Sequence, residues 1–212
     1  MTQNPYGTPP VRKLSQTALI GIVVVVVLLI AGGALAAVLV FAGSDDDKDK
    51  DSNKADDKTS EPAVDVMKGT GYSYTLPDNW TDISAAAAEG APGAIDTVAV
   101  WGEKFEGGRA NVIVESGPTS ETDLEKLREQ WATNMTNGTG ATPERIEGTT
   151  IGGEDAIGTR IERTNEKGVA ILQTAYLVVR DGKIYSIALS GRSGDDEAVA
   201  AFEAIQDSWN WE

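Results

Sequence analysis

The chain contains no cysteine and no histidine among its 212 residues. Without thiols no disulfide can form, and cysteine usage says nothing about the redox compartment. Cysteine nucleophiles, imidazole bases and the usual zinc ligand sets are excluded together. Base-rich stretches are also scarce. Residues 63–212 carry 25 acids against 12 bases, a net charge of −13, within a total of −15. A surface of that sign repels phosphate backbones, so no nucleic-acid partner is expected.

One segment lacks charge altogether. From Ala18 to Ala42 there are 25 residues without a charged or strongly hydrogen-bonding side chain. As a helix this run extends ~37 Å, more than the hydrocarbon core of a bilayer at about 30 Å. In lipid the backbone must bond to itself, so the spacing predicts a transmembrane helix in spite of Val23 to Val27. Arg12 and Lys13 precede it and place the N-terminus in the cytoplasm, with the C-terminal part outside. Ala34-Leu35-Ala36 has the small-residue spacing of a signal-peptidase site, but the apolar run is longer than a signal core and continues through Phe41. An uncleaved anchor is therefore expected. Val40 to Ser44 has the layout of a lipoprotein processing site with Ser44 where the acylated cysteine would stand; it reads equally as a small-residue helix exit.

Flanking segments read as unstructured. Residues 1–17 form a Pro-rich cytoplasmic tail that lacks P-x-x-P. Residues 43–66 form an acidic, low-complexity linker spanning ~26 Å as flexible coil. Asp45, Asp47, Asp49 and Asp51 alternate as calcium ligands do, but Lys50 and Asp56 occupy the positions where an EF-hand loop requires Gly and Glu. No metal and no cofactor are expected.

Residues 67–212 predict the folded domain. Seven strand signals occur: "YSYTL", "AIDTVAVWGEKF", "ANVIVES", "ERIEGTTI", "DAIGTRIERT", "VAILQTAYLVV" and "KIYSIALS". Gly107-Gly108, Gly152-Gly153 and Asp181-Gly182 supply tight turns, which force antiparallel neighbours. Two helices are expected. One is capped by Ser120 and carries Leu124, Leu127, Trp131 and Met135 on one face. The other opens at Ser193 or Gly194 and carries Val199, Phe202, Ile205 and Trp209. "SAAAAEG" at 84–90 predicts a short third. The fold class is α+β: an antiparallel sheet of about seven strands flanked by helices, preceded by one transmembrane helix.

"GYSYTLPDNWTDIS" resembles the opening of the PsbP/Mog1-like superfamily, on Gly71, Tyr72, Tyr74, Pro77 and Trp80. "GGEDAIGTRIERT", "LQTAYLVVRDGKIYSIAL" and "FEAIQDSW" are similar to its later hairpins and closing helix. Within it the chain is most similar to actinobacterial cell-envelope lipoproteins of the LpqN type, from which Ser44 departs. The resemblance implies an α/β/α sandwich outside the membrane and a role in assembly or partner binding.

The search for chemistry finds little. Ser-x-x-Lys is absent, Ser193 is out of register for a nucleophile elbow, and Gly182-Lys183 lacks the rest of a P-loop. Glu154-Asp155 and Asp195-Asp196-Glu197 are paired carboxylates capable of acid–base work, in a hairpin turn and at a helix start. Trp80, Trp101, Trp131, Trp209 and Trp211 suit either a binding surface or the core; the helical stripes favour the core for Trp131 and Trp209. Asn79, Asn134 and Asn137 head glycosylation sequons. No residue is assigned as catalytic, and the sequence does not identify the binding residues. The function expected is a non-catalytic, single-span envelope protein that displays a domain for a protein or envelope ligand. The alternatives are an envelope hydrolase using the carboxylates and a passive structural component.

Overall fold

The computed structural model describes residues 65–90, 95–105, 107–136, 139–165 and 167–212. The Pro-rich tail, the apolar run and the charged part of the linker lie outside the described residues. Among those described, no helix is long and apolar enough to cross a membrane.

Ten strands and three helices follow in the order β1 (Val66–Gly69), β2 (Tyr72–Thr75), β3 (Trp80–Asp82), α1 (Ser84–Gly90), β4 (Ile95–Trp101), β5 (Ala110–Pro118), α2 (Leu124–Thr136), β6 (Glu144–Ile151), β7 (Glu154–Thr164), β8 (Ala170–Arg180), β9 (Lys183–Arg192), α3 (Asp196–Asp207) and β10 (Asn210–Trp211). Seven strands form one antiparallel sheet in the order β3-β4-β5-β9-β8-β7-β6. A three-stranded sheet, β1-β2-β10, is separate.

The count of seven is right for the main sheet, but its membership is corrected. "YSYTL" leaves it to form β2 of the small sheet, and the three-residue β3 takes an edge place. Asn79 redirects the chain between them. It adopts φ +68 in a turn closed by the Trp80 N–H to Pro77 O bond at 3.2 Å. A strand as short as β3 carries no alternation to read.

The Gly152-Gly153 and Asp181-Gly182 hairpins form as the sequence predicts, whereas β4 ends at Trp101 rather than Phe105 and pairs with β5 across a longer connection than a tight turn at Gly107-Gly108. Asp181 and Gly182, with φ +49 and +71, give the two left-handed positions that the β8–β9 turn requires. Both helix starts are corrected. α2 begins at Leu124, where the Asp123 carboxylate accepts the Glu125 N–H at 3.1 Å, so Ser120 is not its cap. α3 is capped by Asp195, whose side chain accepts the Ala198 N–H at 3.1 Å; Ser193 and Gly194 precede it. A carboxylate one residue before the helix outcompetes a more distant hydroxyl because it also complements the helix dipole. The buried stripe of α3 is also corrected. Ala198, Phe202 and Ile205 are buried, whereas Val199 is exposed.

The main sheet separates two cores. On one face α3 and the small sheet pack over Val112, Val114, Ile187 and Leu189. On the other, Leu127, Trp131 and Met135 of α2 pack over Ile157, Ile161, Leu177 and Ala188. Strand alternation divides the residues: even positions of β5 and odd positions of β9 face α3, and the remainder face α2.

Candidate functional site

The hydrolase alternative depends on the paired carboxylates. Glu154 Oε1 accepts from Arg180 Nη1 at 2.7 Å, and its neighbour Asp155 is exposed. Asp195 takes a two-bond fork from Arg109, 2.7 Å in each arm, while capping α3. Those bonds hold its carboxyl below the usual range. Glu197 joins the same arginine, and Asp196 faces solvent at the helix start. Arg109 also stacks on Trp101, 4.2 Å from the ring centre. Glu154, Asp195 and Glu197 are engaged in ion pairs or a cap, and Asp155 and Asp196 stand exposed.

Tryptophan serves packing. Trp80, Trp131, Trp209 and Trp211 are buried; Trp101 is half-buried against Trp80 at 5.9 Å. Tyr72 stacks on Trp209 at 4.5 Å, and Tyr74 stacks on it at 5.1 Å. The Tyr72 hydroxyl bonds Thr97 at 2.8 Å, and burial pushes its pKa up.

The face toward α2 contains what the sequence analysis missed. α1 packs on β4, and α2 packs on β7 and β8. β5 and β9 lie between β4 and β8 in the sheet order. Three rungs cross the sheet here on one face. The first is Val100–Asn111–Ser190–Gln173–Ile161, the second Val98–Ile113–Ala188–Ala175–Thr159, and the third Ile95–Glu115–Ser186–Leu177–Ile157.

Polar groups occupy the outer two rungs, and Thr159 ends the middle one. Asn111, Gln173 and Ser190 are 4%, 6% and 8% exposed. Ser186 accepts the Trp131 indole N–H at 3.0 Å, and Thr159 donates to Glu144 O at 3.0 Å. None of Asn111, Gln173 and Ser190 carries a sealed side-chain atom that lacks a hydrogen-bond partner, so this buried polar rung is satisfied as buried polar groups ordinarily are. Glu115 is half-buried at the far rung, and its Oε1 is sealed from solvent with no hydrogen-bond partner among the described residues. Burial pushes its carboxyl up to about 8. Ile113, between the two polar rungs, stays partly open.

The strip therefore offers amide and hydroxyl groups at one end, an apolar middle, and a carboxyl at the other end. Four residue steps along the strand separate Asn111 from Glu115, ~13 Å. The signal in the sequence was a polar residue at a core-facing position of an otherwise apolar strand: Asn111 in "ANVIV", Gln173 in "AILQTAYL" and Ser190 in "IALSG". Among the described residues, no group of three or more acids is placed to hold a metal ion.

A twisted antiparallel sheet with a helix on each face and a small sheet closed by the C-terminal strand defines a PsbP/Mog1-like fold. The solution structure of cyanobacterial PsbP (CyanoP) from Synechocystis sp. PCC 6803 is similar over 75% of this chain and 98% of that one, with a TM-score of 0.53 and 17% identity. The crystal structure of LpqN, involved in cell envelope biogenesis of Mycobacterium tuberculosis, is similar over 72% of this chain and 86% of that one, with a TM-score of 0.48 and 13% identity. The Saccharomyces cerevisiae Ran-binding protein Mog1p is similar over 70% and 96%, with a TM-score of 0.48 and 13% identity. No family model and no curated protein sequence matches the chain.

Proposed function

We propose that the protein is a non-catalytic binding or assembly protein of the cell envelope. In this reading residues 18–42 anchor it by a single span, residues 1–17 stay in the cytoplasm, and residues 67–212 hang outside on the acidic linker. The strip along β5 takes its ligand. The observation that carries the binding reading is Glu115, half-buried on this face with one carboxyl oxygen sealed and without a hydrogen-bond partner among the described residues. A buried carboxyl oxygen without a partner costs stability unless a ligand satisfies it. The anchor rests on the uncharged run of 25 residues and on Arg12 and Lys13 before it. The hydrolase alternative gains no support, because Glu154, Asp195 and Glu197 are engaged by Arg180 and Arg109.

A photo-crosslinking residue at Ile113, in the full chain expressed in its membrane, tests the site. Crosslinked product at 113 and none at the exposed, opposite-face Glu203 is the expected result. No product at 113 overturns the reading. Protease added to intact cells tests the topology: loss of the C-terminal domain is expected, and its protection would invert the orientation.

A further inference from the structure

Five of the seven arginines in residues 63–212 meet a carboxylate: Arg109, Arg128, Arg145, Arg160 and Arg180. Arg163 and Arg192 form no ion pair among the described residues, although acids outnumber bases 25 to 12 over that stretch. The two are neighbours. Arg163 of β7 is the register partner of Ile171 in β8, and Ile171 is the partner of Arg192 in β9. Opposed residues of an antiparallel ladder share a face, so one rung carries both cations on the same side of the sheet. We propose that Arg163 and Arg192 form a binding site for a phosphate monoester, separate from the strip along β5.

Two strand spacings put the arginine Cα atoms ~10 Å apart, a gap that two long side chains close on one small anion. Ile171 between them is 1% exposed, which gives the site an apolar floor and strengthens its attraction for charge. Arg192 is exposed and Arg163 is half-buried, so the rung is reached from solvent at the Arg192 side. Arg163 Nε is sealed, with no hydrogen-bond partner among the described residues. Burial pushes the pKa of Arg163 down, and no described acid opposes that effect. A guanidinium that loses hydration without gaining a counter-ion is unfavourable, and an anion from outside supplies the missing charge. Asp195 is the acid that senses Arg192, but its oxygens are taken by Arg109 and by the Ala198 N–H.

The paired guanidiniums select the class of anion. A carboxylate is satisfied by a single fork, as Asp195 and Arg109 show. A phosphate monoester presents three acceptor oxygens and close to two charges, enough for both arginines. A phosphodiester has given up one of those oxygens and one of those charges. The net charge of −13 over residues 63–212 repels polyanions, so the site suits one isolated phosphate. That group arrives on a soluble molecule or on a lipid headgroup, and its chemistry is the same in both.

The test uses the full chain in phosphatidylcholine nanodiscs and titration calorimetry at neutral pH and low salt. The probes are ethyl phosphate, diethyl phosphate and acetate. Ethyl phosphate is expected to bind roughly tenfold more tightly than either of the others. Arg163→Gln and Arg192→Gln should each weaken it by about tenfold, whereas Arg145→Gln, which removes an arginine already paired with Glu125, should leave it unchanged. Near-ultraviolet circular dichroism confirms the fold of each variant, and the exposed Arg192 supplies a variant that does not disturb packing. Discs containing phosphatidic acid, compared with discs of matched charge containing phosphatidylglycerol, name the source. A weaker ethyl phosphate titration with phosphatidic acid places the group on a lipid, and equal titrations place it on a soluble molecule; both require a working site. Equal binding of ethyl phosphate and acetate, full affinity in either arginine variant, or no binding up to about 10 mM ethyl phosphate overturns the proposal. The crosslink at Ile113 is independent of all these outcomes.

Discussion

Trp131 and Ser186 tie α2 to the sheet: the indole N–H donates to the serine hydroxyl at 3.0 Å in a buried contact. It is the polar bond between that helix and β9, set among Leu127, Met135 and Ile184. Ser186→Ala leaves the indole N–H buried and unpaired and should cost about 1–2 kcal/mol in urea denaturation. Trp131→Phe removes the donor as well as some packing. A double-mutant cycle between the two sites should return a coupling of ~1 kcal/mol, and additivity would show the bond to be idle.

Glu115 should make the domain less stable as pH rises. Its carboxyl is raised by burial to about 8 from an ordinary 4.5. Between those values the folded chain holds a proton that the unfolded chain has released. Unfolding free energy therefore falls with increasing pH across that window and levels off above it. Glu115→Gln removes the term, so the variant should gain on the parent from pH 4.5 toward pH 8, by on the order of 2 kcal/mol. Denaturant midpoints at several pH values test this. A pH-independent difference between the two proteins would place Glu115 in water.

Asp195 has the opposite dependence. Arg109 and the Ala198 N–H both favour its charged form and hold its carboxyl low. Its contribution is complete above the unfolded carboxylate pKa and is lost as pH falls through the folded value. Asp195→Ala should cost about 1–2 kcal/mol at neutral pH and much less in acid, read from thermal melts across pH. A constant cost at all pH values would reduce the residue to packing.

Gly152 should not tolerate a side chain. Its φ is +58, and an added Cβ would lie 2.6 Å from the Trp211 ring. That ring donates its N–H to Ile151 O at 2.9 Å, so it is fixed where the clash occurs. Gly152→Ala should destabilise by about 2 kcal/mol or more and perturb the near-ultraviolet aromatic signal. Gly153→Ala has a positive φ of +86 but no atom within 4 Å, and should cost about 1 kcal/mol.

Much of the fold was legible because it is local. Alternation marked β4 to β9, and Asp181-Gly182 fixed a register that needs no tertiary help. Leu127, Trp131 and Met135 announced the buried face of α2 by spacing alone. What escaped was set by distant partners. β3 and β10 are three and two residues long, and each exists because another strand offers it bonds. The division of β2 from the main sheet follows from the backbone of Asn79, which period-two counting does not register. Val199 has stripe spacing to Phe202 but lies at the edge of the buried face, where the small Ala198 takes the place against the sheet.

The candidate site was harder to read for a different reason. Asn111, Ser190 and Gln173 lie 17 to 79 residues apart in the chain and become neighbours only through the β5-β9-β8 order. Tryptophan and paired acids drew the attention that composition rewards, and both are structural here.

The small sheet also determines how the domain meets mechanical force. In the topology proposed above, the linker joins at β1, whose outermost rung pairs Val66 with Thr75, opposite the turn at Thr70 and Gly71. Tension arriving along that linker opens β1 from β2 one rung at a time, as a zipper parts, rather than sliding the strands past each other. The first yield is a four-rung peel that lengthens the leash while the seven-stranded sheet, and the strip on its far face, stay unloaded.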